Sequence, residues 1–124
     1  VQNMAKSELF DIIGHLDLIK KFNFRPKKDI TDLLRETIEI ISKNKICVEV
    51  NTGGLRRAPC HEVYPSEELL EMCFDNGLSV TLGSDAHSPE EVGADFDKVV
   101  NLLRKVGYFE IVRFTRRNRE FVEL

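Results

Sequence analysis

Residues Ile46-Cys47-Val48-Glu49-Val50-Asn51 limit the choice of fold more than any other stretch. Along an extended chain Ile46, Val48 and Val50 share one face, and Cys47, Glu49 and Asn51 share the other. The apolar side must be covered by helices, while a carboxylate and an amide point the opposite way. The neighbouring sequence supplies the cover. Asp29 is a good helix N-cap, and Ile30, Leu33, Leu34, Ile38 and Ile41 follow at the spacing of a helix buried on one side. Ser66 opens a second helix that runs to Asn76, with Glu67 and Glu68 in its first turn and Leu69, Leu70, Met72 and Cys73 apolar. A third spans about 94–106 and turns Phe96, Val99, Val100, Leu103 and Val106 inward before Gly107.

Between these helices lie further strand-like runs at 10–14, 78–82 and 109–114, and residues 1–9 read as the last turns of a helix that lacks an N-cap. Strands alternating with amphipathic helices predict an α/β fold with a parallel sheet and right-handed crossovers. In such sheets ligands collect at the C-terminal ends of the strands. His15, Asn51, Asp85 and Thr115 all fall at those ends.

A chain of 124 residues makes at most one domain, here the whole of 1–124. Its net charge of -3 gives no reason to expect nucleic acid as a partner, because its cationic residues are dispersed. The exception is the stretch Arg116-Arg117-Asn118-Arg119, read here as a solvated tail. Three cysteines without a CxxC spacing support neither a disulfide framework nor a zinc knuckle, and fit a reducing cytoplasm. No apolar run approaches the roughly 18 residues of a membrane span.

The chemistry concentrates in two short stretches. Gly83-Ser84-Asp85-Ala86-His87 follows an apolar run and sets a carboxylate and an imidazole on one side of an extended chain. Such a pair suits a borderline divalent ion such as zinc, manganese or iron. His15-Leu16-Asp17 mirrors it at the end of another strand. Ser88-Pro89-Glu90-Glu91 then carries a capping-box signature that is expected to fix the loop after His87. His61, midway along the loop 52–65, reads as a surface residue.

The residues from Asp11 to Asp17, the run Val48-Glu49-Val50-Asn51-Thr52-Gly53-Gly54-Leu55-Arg56, then Tyr64-Pro65-Ser66 and Thr81 to His87 resemble the C-terminal half of histidinol-phosphate phosphatases of the PHP (polymerase and histidinol phosphatase) superfamily. The motifs keep their order over nearly the whole chain. The resemblance implies part of a distorted (β/α)7 TIM-like barrel with two or three metal ions at the strand ends. It further implies hydrolysis of a small phosphate monoester by metal-bound hydroxide, in histidine biosynthesis.

On that basis His15, Asp85 and His87 are the expected metal ligands, with Asp85 and His87 as the catalytic pair. Asp17, Glu49 and Ser84 are expected behind them. Lys21, Arg56, Arg57 and Asn51 are expected to contact substrate, since a phosphate clamp requires cations near the rim. The family's His-x-His pair and several further ligands have no counterpart here, so the chain is expected to be a C-terminal portion of the barrel and inactive alone. A half barrel also leaves strand edges unpaired, which predicts self-association alongside the missing N-terminal part. A PHP-type nuclease, or a non-catalytic α/β binding module, would share much of this sequence pattern.

Overall fold

A computed structural model describes all residues, 1–124. Its elements are α1 (Gln2–Ala5), β1 (Ile12–Ile13), α2 (Thr31–Lys43), β2 (Cys47–Asn51), α3 (Gly53–Arg56), α4 (Glu67–Asp75), β3 (Val80–Gly83), α5 (Phe96–Val106), β4 (Glu110–Thr115) and β5 (Asn118–Glu123). Strand β2 is the centre of a parallel sheet ordered β1-β2-β3, in which Val48 lies opposite both Ile13 and Val80. The fold is therefore mixed α/β around a three-stranded parallel sheet, and a solvent-free core forms where the helices meet it. Ile38 and Ile41 from α2, Leu70 from α4 and Leu103 from α5 pack with Val48, Val50 and Val80, and each is at most 1% exposed. The i, i+3, i+4 stripes thus do what their spacing requires. Gly107 ends α5 at φ 123°, a left-handed backbone that favours glycine.

The fourth strand departs from expectation. Glu110–Thr115 joins no parallel sheet but pairs antiparallel with Asn118–Glu123, so the cationic stretch is a hairpin turn and not a tail. Arg116 and Arg117 occupy the turn with φ of 50° and 67°, the geometry that closes a two-residue hairpin. The turn docks beside the starts of β1 and β2, where Arg117 Nε donates to Asp11 Oδ2 at 2.7 Å and Arg119 Nη2 to the Lys45 carbonyl at 2.5 Å. Thr115 is consequently carried away from the rim that holds His15 and Asp85.

Smaller differences concern caps and loops. Asp29 does accept the Thr31 N–H at 2.8 Å. Ser66 makes no side-chain cap, and its own N–H is taken by Asp17 Oδ2 at 2.9 Å. The connection after Asp17 folds into a 3-10 turn, Leu18–Phe22, and a second one, Pro89–Glu91, follows Ser88. There the capping carboxylate reaches one residue further back than a capping box requires, since Glu91 Oε2 accepts the His87 N–H at 2.7 Å. Burial pushes the Cys47 and Cys73 thiols up to about 12, so neither provides a nucleophilic thiolate near neutral pH. No helix is long and apolar enough to cross a membrane.

Candidate active site

Parallel pairing sets the ends of β1, β2 and β3 side by side, with Asn51 opposite Gly83. His15 and Asp85 each lie two residues beyond the end of their strand, and both adopt left-handed backbone, φ 47° and 50°. Residues other than glycine occupy that region sparingly, and it recurs at functional sites. Here it turns both side chains inward over Glu49 and Asn51.

The His15 ring is held at both nitrogens. Nδ1 lies 3.4 Å from Glu49 Oε2, which also accepts the His15 backbone N–H at 3.3 Å. At the other nitrogen the Asn51 amide can only donate, so Nε2 is the acceptor and a neutral ring carries its proton on Nδ1, on the Glu49 side. Nε2 then presents its lone pair toward the Asn51 amide nitrogen at 3.2 Å and lies 3.7 Å from Asp85 Oδ2. Asn51 is oriented by its other end, where Oδ1 accepts the Gly53 N–H at 2.8 Å, and it is fully buried. The His15 ring thus sits between two carboxylates, Glu49 on the Nδ1 side and Asp85 on the Nε2 side, with Asn51 donating to Nε2. The absence of side chains at Gly14 and Gly83 leaves room for Glu49: a Cβ at Gly14 would lie 3.2 Å from Oε2, and one at Gly83 2.1 Å from Oε1.

Asp85 and His87 meet across Arg57. Its Nη1 donates to Asp85 Oδ2, while Nη2 donates to the Asp85 carbonyl at 2.8 Å and lies 2.7 Å from His87 Nδ1 and 3.3 Å from Glu91 Oε2. Burial raises the Asp85 carboxyl, but the hydrogen bond and charge of Arg57, with His15 and His87 beside it, outweigh that and hold it below its ordinary value of 3.8. Asp85 is thus an anion near neutral pH. No three histidine, cysteine, aspartate or glutamate side chains close on a single point. His15 Nε2 and Asp85 Oδ2 face each other at 3.7 Å, but Asn51 already donates to the first and Arg57 to the second, and His87 is engaged by Arg57, so the residues present do not by themselves form a metal site.

The remaining expected residues divide by location. Arg56 is a strut: Nη2 donates to the Ser84 carbonyl at 2.6 Å, and Nη1 to Thr52 Oγ1 and Asp95 Oδ2 at 3.2 Å each. This ties α3, the end of β3 and the start of α5 together. Asp17 lies under the long loop, bound to Lys20 at 2.8 Å. Lys21 is not drawn to the rim, and its ammonium stands 5.6 Å from the Phe22 ring. His61 is exposed, as its sequence position implies.

Several site residues escaped the sequence reading. Lys20, adjacent to the chosen Lys21, is 5% exposed and donates to the Val63 carbonyl at 2.7 Å. It also stands 5.3 Å from the Tyr64 ring, which in turn lies 6.0 Å from the His15 ring. Tyr64 fastens the loop to β2 by exchanging backbone hydrogen bonds with Asn51 at 2.6 and 3.0 Å. Thr52 is fully buried and donates to the Ala94 carbonyl at 2.7 Å. A signal existed for one of the missed groups: Lys20 lies three residues after Asp17, a spacing at which side chains meet across a helical turn.

A cavity of about 700 Å³ lies to the side of the rim, between the Leu18–Phe22 turn and helices α2 and α4. Leu16, Ile19, Phe24, Leu33, Leu34 and Met72 line it, with Asp17 and Lys20 on its border. Arg25, Glu62 and Glu68 also line it, but His15, Glu49, Asp85 and His87 do not, so the histidine-bearing rim is taken as the candidate site.

Comparison with known proteins places the chain among relatives. No protein-family model matches the chain. A Deinococcus radiodurans protein named "Probable histidinol-phosphatase" is 38% identical over 107 residues, which cover 86% of this chain and 40% of the relative. The chain is a relative of the histidinol-phosphatases. Proteins of the same name from Schizosaccharomyces pombe and Thermotoga maritima are each 30% identical, over 77% and 80% of the chain and 33% and 42% of their own lengths. The chain thus spans well under half of these histidinol-phosphatase relatives. A crystal structure from Listeria monocytogenes, described as a proposed histidinol phosphatase, superimposes with a TM-score of 0.67 at 22% identity. It covers 79% of this chain and 40% of that one, and it shows a shared fold.

Proposed function

We propose that this chain is the C-terminal portion of a PHP barrel domain of the distorted (β/α)7 type, and that the whole protein is a metal-dependent histidinol-phosphate phosphatase of the cytoplasm. The observation that carries the reading is the His15 ring, its Nδ1–H turned to Glu49 and its Nε2 turned to Asp85. The relatives' names supply the substrate class, a small phosphate monoester.

In this reading His15, Asp85 and His87 hold divalent ions, zinc, manganese or iron, two or three in the complete site. If bound there, such ions would supply charge neutralisation at the phosphoryl group and activation of water. The residues of this chain have separate tasks. Glu49 and Asn51 orient the His15 ring. Asp85 contributes negative charge that is present across the neutral range. Arg57 is the cation beside Asp85 and His87 and would have to leave Asp85 to take a phosphoryl group, while Arg56 braces the backbone of Ser84.

The test is phosphate release from histidinol phosphate with added zinc or manganese. The 124-residue chain is expected to show negligible turnover, and a longer protein that includes the preceding reading frame is expected to turn over at an enzyme-like rate. Turnover by the chain alone would defeat the claim of an incomplete site. Inactivity of the longer protein toward histidinol phosphate, with activity on oligonucleotides, would favour a PHP nuclease; inactivity toward both would favour a binding module.

The same reading includes self-association. Leu9 is 70% exposed and Phe10 50%, both just before the edge strand β1, and Phe109 beside the hairpin is 83% exposed. Apolar side chains along unpaired edges favour a second surface. Sedimentation velocity is expected to show a dimer or larger, and a monomer would count against it.

A further inference from the structure

We infer that strand β5 is a docking edge for a second copy of this chain, which pairs with it antiparallel about a two-fold axis at Phe121. The inference rests on the reading that the chain self-associates and goes beyond it by assigning the strand, the register and the charged contacts.

The bonding of the hairpin leaves one edge open. Thr115 and Asn118 close the turn, and at the other end the Leu124 N–H donates to the Phe109 carbonyl at 3.0 Å. Bonded and non-bonded pairs alternate along an antiparallel ladder, so Glu120 and Val122 also turn their backbone groups toward β4. Arg119, Phe121 and Glu123 turn theirs away from it. β5 pairs with β4 alone, and every residue from Asn118 to Glu123 is exposed. The outward N–H and C=O groups therefore have no partner within the chain, the condition in which an edge recruits another strand.

Charge selects the register. Setting Phe121 opposite its own copy places Arg119 opposite Glu123 of the second copy, and the outward residues of both strands then exchange backbone hydrogen bonds. A register that sets Arg119 or Glu123 against its own copy brings like charges together, which destabilises a cross-strand pair. Arg119 can stay on the Lys45 carbonyl through Nη2, since its guanidinium has further donors for the carboxylate. The apolar surface favours the same arrangement. Phe121 is 56% exposed and lines a groove of about 310 Å³ with Phe74, Leu78, Tyr108, Phe109 and Val112. Residues opposite each other across a ladder share a face, so Phe121 of the second copy comes to lie beside this groove. Pairing thus covers exposed aromatic surface while it satisfies the backbone.

Sedimentation velocity on the 124-residue chain and two charge variants tests the register. The parent is expected to be a dimer. Glu123→Lys and Arg119→Glu, each alone, are expected to dissociate about tenfold more readily, because each sets like charges opposite one another at both ends of the paired strands. An equimolar mixture of the two is expected to form a mixed dimer of parental affinity, since one copy then presents only cations along the edge and the other only carboxylates. Should Arg119→Glu fail to fold by circular dichroism, having lost its tether to Lys45, Glu123→Lys alone carries the expectation of a weakened dimer. A dimer unchanged in the variants would overturn the pairing at β5 and leave self-association standing on another surface. Weakened variants that do not combine when mixed would overturn the register as well. A parent chain that stays monomeric would overturn both readings.

Discussion

Replacement of Lys20 by methionine is expected to lower the unfolding free energy by about 3 kcal/mol, the size typical of removing one partner from a buried ion pair. The residue is 5% exposed and its ammonium satisfies three oxygens: the Val63 carbonyl at 2.7 Å, Asp17 Oδ2 at 2.8 Å and Glu62 Oε2 at 3.3 Å. Methionine fills a similar volume, so the loss is electrostatic and not a cavity. Asp17 is the group harmed most, because its Oδ1 is already buried without a partner and only the Ser66 N–H would remain on Oδ2. The Glu62 contact contributes less, since that side chain is 43% exposed and also bound by Arg25 at 2.5 Å. Urea denaturation reads the effect directly. A loss below about 1 kcal/mol, the range of exposed pairs, would show that the lysine is not a buried anchor.

The second large effect is expected at Gly83. A Cβ there would lie 2.1 Å from Glu49 Oε1, 2.8 Å from Cδ and 3.1 Å from Cγ, so the carboxylate has to rotate away. Gly83→Ala is therefore expected to cost about 2 kcal/mol, within the range for overpacking a filled site. Its more telling consequence is at His15, whose Nδ1 and backbone N–H both lose their acceptor. Zinc affinity is expected to fall at least tenfold, the lower end of what the loss of an orienting partner produces. Gly77→Ala is the control, because no atom lies within 4 Å of a Cβ there. Its left-handed φ of 67° brings backbone strain, so it loses stability without losing zinc. Unchanged zinc binding by Gly83→Ala would remove Glu49 from the site.

What the sequence disclosed and what it concealed follow from how local each signal is. The alternation along 46–51 and the stripes of α2, α4 and α5 are set by neighbours a few residues apart, and the parallel sheet follows from them. His15 and Asp85 were legible because each follows an apolar run, and strand ends in a parallel sheet lie side by side. The hairpin was not. Its turn holds two arginines in left-handed backbone, where Asn-Gly is the usual mark, so no residue advertised it. Lys20 was concealed for another reason. It is one of two adjacent lysines in a cationic stretch, and only the Val63 carbonyl, 43 positions away in sequence, distinguishes the buried one from its exposed-looking neighbour. Arg57 belongs to the same class: a basic loop residue reads as a phosphate contact, and its ties to Asp85 and Glu91 exist only once the loop has closed on β3.

The placement of the hairpin turn bears on how the rim moves. Arg117 on Asp11 and Arg119 on the Lys45 carbonyl fasten the roots of β1 and β2, the ends furthest from His15 and Asp85. The sheet resembles a fan pinned at its handle. Its blades are fixed relative to one another below, and the tips are fastened separately, by Arg56 on Ser84 and Asp95 and by Tyr64 on Asn51. The core of Ile38, Val48, Leu70 and Leu103 thus lies between two ends that are fastened independently, so a change at the rim need not disturb the root.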